Sequence, residues 1–155
     1  MKKFAFIFFA LFSLAAYSAE IKVAYICATE ASTGFLYSQG KWNVSQFTEK
    51  DFLIRKLREN DPGFNNSNKT PYGVFELDEK VPAMFCSIRD QSLECSGLGR
   101  LDFLSETGRF LRTYTNGYIG GDEYTAAQPK IMLGTCKPLP AGYKELPKKV
   151  YPPSL

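Results

Sequence analysis

The sequence predicts an all-β, mainly antiparallel domain, a small meander barrel or sandwich closed by two disulfides. Short runs rich in apolar and β-branched residues recur along the chain, and turn residues separate them. Four cysteines lie at positions that suit pairing between such strands. We expect one β domain at 19–137, preceded by a signal peptide at 1–18 and followed by a tail at 138–155 that is rich in proline and lysine.

The amino terminus has the three-part layout of a secretory signal peptide. Lys2 and Lys3 precede an apolar run at 4–16, and small residues follow it. The run has 13 residues, whereas a helix needs about 20 to cross the hydrocarbon core of a membrane. A cut after Ser18 fits best, and a retained membrane anchor is the less favoured alternative. We therefore expect a periplasmic or secreted protein with no membrane span after signal removal.

Removal of the signal changes the charge of the chain. Lys2 and Lys3 leave with it, so the 19 basic residues fall to 17 against 16 acidic residues. The basic residues that remain are scattered rather than clustered, and clustered Lys and Arg are what bind phosphate backbones. The sequence therefore predicts no nucleic-acid partner.

Alternating apolar residues such as Tyr25 and Cys27 indicate strands with one buried face. A hairpin is expected around the turn Ser38-Gln39-Gly40, and 52–57 is a strand for which a short helix is the alternative. The polar, Gly- and Pro-containing segment 60–72 is the longest expected loop. The expected strands are 21–27, 34–37, 41–47, 52–57, 73–77, 83–88, 93–97, 101–104, 109–115 and 130–135.

An even number of cysteines in a small exported chain predicts disulfides, and sequence alone allows three pairings. If 89–92 is the turn between two strands, Cys95 lies opposite Cys86, at a separation that a disulfide can close. Cys27 then pairs with Cys136, which joins the two ends of the meander as barrel closure requires. A metal site is disfavoured because the chain has no histidine and no Cys-x-x-Cys pair. We expect no metal and no cofactor.

Several short motifs recur in one known group of proteins. They are Cys27-Ala-Thr-Glu30, Gly34-Phe35, Gly40-Lys41-Trp42, Phe85-x-Cys, Gly108-Arg109-Phe110, Gly117-Tyr118 and Gly134-Thr135-Cys136. Through them, most of residues 25–138 resembles a group of small exported proteins of proteobacteria and their phages, to which no activity is assigned. The resemblance implies a bacterial or phage origin and an envelope location. It transfers no functional residue.

Catalysis is not expected. Nucleophilic catalysis commonly uses a histidine base, which the chain lacks, and oxidised cysteines offer no free thiol. The carboxylates are scattered over turns and strand faces, which is typical of a solvated surface rather than of a paired glycosidase site. We therefore expect no catalytic residue and no enzyme activity.

Two features of the sequence indicate a candidate binding surface. Trp42, the only tryptophan, lies next to a turn, although core packing is its ordinary role. In the strand 109–114, Arg109 lies on one face, and Arg112 and Tyr114 lie on the other. Arginine among aromatic residues builds recognition surfaces and equally braces barrel rims. The candidate surface residues are therefore Trp42, Arg109, Arg112 and Tyr114.

These observations favour a binding module that acts on an envelope protein or a cell-wall component, with inhibition as one mode of action. The alternative is a lipocalin-like carrier, in which the aromatic side chains line a cavity for a small apolar ligand. An enzyme that acts on glycans through carboxylates ranks third.

Overall fold

The computed structural model describes residues 24–64, 69–115, 118 and 128–140. The expected signal peptide, most of the tail, and the start of the first expected strand lie outside these residues. The strands of the described part are β1 (Ala24–Ser38), β2 (Lys41–Gln46), β3 (Phe52–Lys56), β4 (Tyr72–Glu76), β5 (Met84–Arg89), β6 (Ser92–Gly97), β7 (Gly99–Leu104), β8 (Arg109–Tyr114) and β9 (Lys130–Pro138).

The strands form one antiparallel sheet that closes into a barrel. Neighbours pair in the order β2-β1-β3-β4-β5-β6-β7-β8-β9, and β9 also pairs with β1. Because β1 is bonded to β3 on one side and to β9 on the other, β2 is attached outside the closed barrel. The expected meander barrel is confirmed, and the closure joins its first and last strands.

β1 serves both the barrel and a projecting hairpin. Its residues 24–27 pair with β3, whereas 33–38 pair with β2 on the same side. The pairing with β9 ends at Gly34, so the remainder of the hairpin extends beyond the barrel. Gln39 and Gly40 have φ values of 53° and 75°, as a two-residue type I′ turn requires. The hairpin expected at this turn is confirmed.

A β-bulge at Glu30 changes which residues of β1 face inward. The register with β9 shifts between Thr29 and Ala31, which makes Glu30 an extra residue in β1. Inward positions are odd-numbered before the bulge and even-numbered after it, so Thr29 and Ser32 both face the interior. The sequence predicts two strands, at 21–27 and 34–37, where the structure has one, because the bulge interrupts the alternation.

Apolar side chains from every barrel strand fill the interior. Two aromatic pairs meet edge to face, with ring centroids 4.7 Å apart for Tyr25 and Phe103 and 4.9 Å apart for Phe52 and Phe110. The buried cluster comprises Tyr25, Cys27, Phe52, Ile54, Tyr72, Val74, Met84, Cys86, Leu93, Cys95, Leu101, Phe103, Phe110 and Cys136. This packing gives the strands a firm support.

Both expected disulfides are present, and each joins residues directly opposed in the sheet. Cys86 bonds Cys95 across the turn 89–92, and Cys27 bonds Cys136 between β1 and β9. The second bond spans 109 positions of sequence. It therefore fixes the seam at which the barrel closes.

The chain after β3 packs against the outside of the sheet. Leu53, Leu57 and Phe75 form a second, smaller buried cluster there. Asp61 accepts two hydrogen bonds from the Arg55 guanidinium, at 2.5 and 2.8 Å. The strand expected at 52–57 is confirmed, since Phe52–Lys56 pairs with both β1 and β4. The strands expected from 73 onwards are also confirmed, with shifts of a few residues at their ends.

Candidate functional site

Outward-facing side chains of β8, β9, β1 and β2 form an apolar surface, which we call the outer face. Leu111 pairs with Leu133, and Phe35 pairs with Val44, so the members of each pair share one side of the sheet. Val44 is the most exposed, at 78%, and the others expose between 41% and 48%. The outer face consists of Phe35, Val44, Leu111, Ile131 and Leu133.

Two neighbouring depressions indent the outer face, and both are lined by Thr33 and Ile131. The first has a volume of about 310 Å³ and is bounded by Phe35 and Val44. The second has a volume of about 450 Å³, lies over the bulge and reaches Leu133. Anchoring side chains of a protein ligand bind in recesses of this kind.

Aromatic rings continue the outer face along the hairpin. Trp42 pairs with Tyr37 on the same side of the sheet as Phe35 and Val44. The Trp42 ring lies 5.3 Å from the Tyr37 ring and 5.7 Å from the Tyr118 ring, in edge-on contacts. These contacts hold the indole in place beside the turn.

The interior of the barrel is polar at the end from which the hairpin projects. Arg112 is 3% exposed, and its Nη2 donates to Oε1 of Glu76 at 2.9 Å. Its guanidinium also lies 5.1 Å from the ring centre of Phe52 and 4.8 Å from that of Tyr114. This ion pair connects β8 to β4 across the interior. Arg112 therefore braces the end of the barrel.

A second ion pair lies beside the first. Lys130 Nζ donates to Oε1 of Glu49 at 2.6 Å and lies 5.0 Å from the centre of the Tyr114 ring. Burial raises the pKa of Tyr114 to about 12, so its phenol is neutral at physiological pH. The two cations, Arg112 and Lys130, are each paired with a carboxylate. The segment after β2 is thereby tied to the start of β9.

The candidate surface residues fall into two groups. Trp42 and Arg109 have outward-facing side chains, at opposite ends of the region that holds the outer face. Arg112 and Tyr114 share one face of the strand, as the alternation along 109–114 predicts; that face points to the interior, where they support the barrel end. The structure brings Arg112 and Tyr114 together and leaves Arg109 exposed beside Leu111.

Sequence reasoning missed most of the outer face. Ile131, Leu133 and Leu111 look like core residues because apolar residues in strands are usually buried. One signal was available: β9 contains the run Ile131-Met132-Leu133, so both of its faces are apolar. Met132 faces the interior together with Cys136, since alternate side chains of a strand share one face. Its two neighbours must therefore be exposed or covered by something else.

Within the described residues, no three histidine, cysteine, aspartate or glutamate side chains come close enough to hold a metal ion. The described part of the chain also contains no helix that is long and apolar enough to cross a membrane.

Comparisons with family models, with curated proteins and with solved structures find no match to this chain. Its geometry therefore defines its class: a small disulfide-bonded β-barrel with a projecting hairpin and an apolar outer face.

Proposed function

We propose that the chain is an exported binding module that engages an envelope protein or a cell-wall component. The observation that carries the proposal is the outer face, where five large apolar side chains are exposed on one side of neighbouring strands. Proteins that function as soluble monomers rarely expose contiguous apolar patches larger than a few hundred Å², and larger patches commonly mark binding sites.

The chemistry of the outer face favours a protein as the target. Its side chains are mostly aliphatic, with the indole of Trp42 at one end. Aliphatic surface gains from contact with other apolar side chains, whereas wall glycans mainly offer hydroxyl groups. The expected signal peptide, the two disulfides and the resemblance to exported bacterial and phage proteins support an envelope location for this encounter.

We further propose that binding inhibits the target. The hairpin extends past the end of the barrel, carries Trp42 and Tyr37 near its tip, and continues a strand that the Cys27–Cys136 disulfide anchors. A rigid projection loses little conformational entropy when it enters a cleft, which favours tight occupation of that cleft.

A carrier of a small apolar ligand is less well supported. Carriers of this type need an apolar chamber inside the barrel. Here apolar side chains from each barrel strand pack together in the interior, and the end near the hairpin holds the Arg112 and Lys130 ion pairs.

The test is affinity capture from an envelope extract with protein purified after export. We expect the wild-type protein to retain one partner at micromolar concentration. Leu133→Lys should lose that partner, because it places a charge within the outer face, directly opposite Leu111. Leu98→Lys is the matched control, since Leu98 is 63% exposed in the turn between β6 and β7 and lies outside the outer face.

Two results would contradict the proposal. One is the absence of any specifically retained protein or wall fragment at micromolar concentration. The other is equal retention by wild type, Leu133→Lys and Leu98→Lys, which would mean that binding does not use the outer face. Inhibition is then tested by assaying the captured partner with and without the barrel.

A further inference from the structure

β2 is an edge strand with a defined hydrogen-bonding side. Among the described residues it pairs with β1 on one side only. The Phe47 N–H donates to the Ser32 carbonyl at 3.2 Å, so Phe47 directs its N–H toward β1. Phe35, which opposes Val44, instead donates its N–H to the Pro129 carbonyl at 2.8 Å, away from β2.

The backbone groups of alternate β2 residues therefore point to the open edge. In a β-strand the N–H and C=O groups of one residue point to the same side, and successive residues alternate between the two sides. With Phe47 directed toward β1, the groups of Trp42, Val44 and Gln46 are directed away from it. Three residues thus present paired donors and acceptors along this edge.

Edge strands usually carry features that prevent further pairing, such as proline, a bulge or inward-pointing charge. β2 has the sequence Lys-Trp-Asn-Val-Ser-Gln, without proline, and its register with β1 is regular. Its single charge, Lys41, lies at one end. Val44, the most exposed large apolar residue of the described part, lies at the middle of the edge.

We propose that β2 pairs with β2 of a second copy of this chain, antiparallel and about a two-fold axis at Val44. In this register Val44 opposes Val44 of the second copy, and Trp42 of each copy opposes Gln46 of the other. In each opposed pair, the backbone N–H and C=O groups of both residues point to the open edge of β2 and so toward the other copy. The pairing therefore forms about six N–H···O=C hydrogen bonds, two for each of the three pairs.

The charge of β2 is compatible with the same partner. An antiparallel copy places the two Lys41 side chains at opposite ends of the paired strands, so like charges do not meet. The two Val44 side chains meet on the outer side and cover each other. A strand of another protein with an exposed edge is the rival occupant, and it would leave the isolated chain monomeric.

The dimer would place the outer faces of two copies side by side. Pairing at the edge covers backbone groups of β2 and the Val44 side chains but leaves Phe35, Leu111, Ile131 and Leu133 of the outer face open. The sheets of two copies would then be continuous, with Phe35 and Val44 of each copy side by side at the centre. This inference does not depend on the proposed function, because the dimer can form whether or not the outer face binds a target.

Sedimentation velocity of protein purified after export, over a range of micromolar concentrations, tests the dimer. We expect a concentration-dependent dimer for wild type and for Val44→Thr, which keeps the backbone N–H and a β-branched side chain. Val44→Pro removes an N–H that points to the edge and not to β1. It should raise the dimer dissociation constant by at least about tenfold. Circular dichroism checks that the barrel remains folded.

Mixing two charged variants tests the register. Val44→Lys and Val44→Glu should each be monomeric alone, because like charges would oppose each other at the axis. An equimolar mixture should regain a dimer. Leu98→Lys and Leu133→Lys should dimerise as wild type does, which separates this test from that of the proposed function.

A wild-type protein that stays monomeric overturns the proposal. So does a dimer that Val44→Pro leaves unchanged, or a mixture of the charged variants that shows no gain over either variant alone.

Discussion

Arg112 and Glu76 form an ion pair in which the two partners are unequally exposed. Their Nη2 and Oε1 atoms are 2.9 Å apart, although the residues are 36 positions apart in sequence. The side chain of Arg112 is 3% exposed, whereas that of Glu76 is 36% exposed. The carboxylate can be solvated without its partner, and the guanidinium cannot.

We expect removal of the carboxylate to cost more than removal of the cation. Glu76→Ala leaves a buried unpaired charge, and such changes cost about 3 kcal/mol or more. Arg112→Met replaces the charge with an apolar chain that can pack against Phe52, and we expect a loss of about 1 kcal/mol. Urea unfolding of both variants at neutral pH measures the difference. A larger loss of unfolding free energy for Arg112→Met than for Glu76→Ala would contradict this account of the barrel end.

Tyr114 makes the barrel sensitive to high pH. Burial raises its pKa from 10.0 to about 12, so the folded state favours the neutral phenol. Its contribution to stability is therefore complete below the unfolded pKa and is lost as pH rises through the folded value. We expect the unfolding free energy of Tyr114→Phe to fall less steeply than that of wild type between pH 10.0 and about pH 12. Tyr118→Phe, which removes the hydroxyl of an exposed tyrosine, is the control.

The two disulfides should differ in their contribution to stability. Cys27–Cys136 spans 109 positions and Cys86–Cys95 spans 9. Loop-closure entropy gives the longer bridge an advantage of about 2 kcal/mol. We expect the double alanine variant of Cys27 and Cys136 to unfold at lower urea concentration than that of Cys86 and Cys95. Equal midpoints with equal slopes would show that closure of the barrel seam does not depend on chain entropy.

Much of the fold follows from local sequence. Strand positions from β3 to β9 follow from apolar alternation and from turn residues, and the position of the turn 89–92 suffices to pair Cys86 with Cys95. The continuity of β1 does not follow, because the bulge at Glu30 shifts the alternation by one residue. A bulge depends on how two distant strands fit together, and β1 and β9 are far apart in sequence.

The candidate site was less predictable for the same reason. Lys130 meets Glu49, and Arg112 meets Glu76, only because the barrel closes. No short motif records either contact. The outer face depends on which side of each strand remains uncovered. A sequence pattern predicts which side chains share a side of the strand. It does not predict which of the two sides the rest of the protein leaves exposed.

Asp61 should make stability depend on acid pH. Its hydrogen bonds from the Arg55 side chain and the Arg58 N–H lower the pKa of its carboxyl, against the opposing effect of burial. A lowered folded pKa gives stability that is present above the unfolded value and lost as pH falls through the folded one. We expect Asp61→Asn to cost about 1 to 2 kcal/mol at neutral pH. The cost should shrink below about pH 4, near the unfolded pKa. Asp102→Asn, which breaks an exposed pair with Arg100, should cost less at neutral pH, and a pH-independent loss for Asp61→Asn would contradict the assignment.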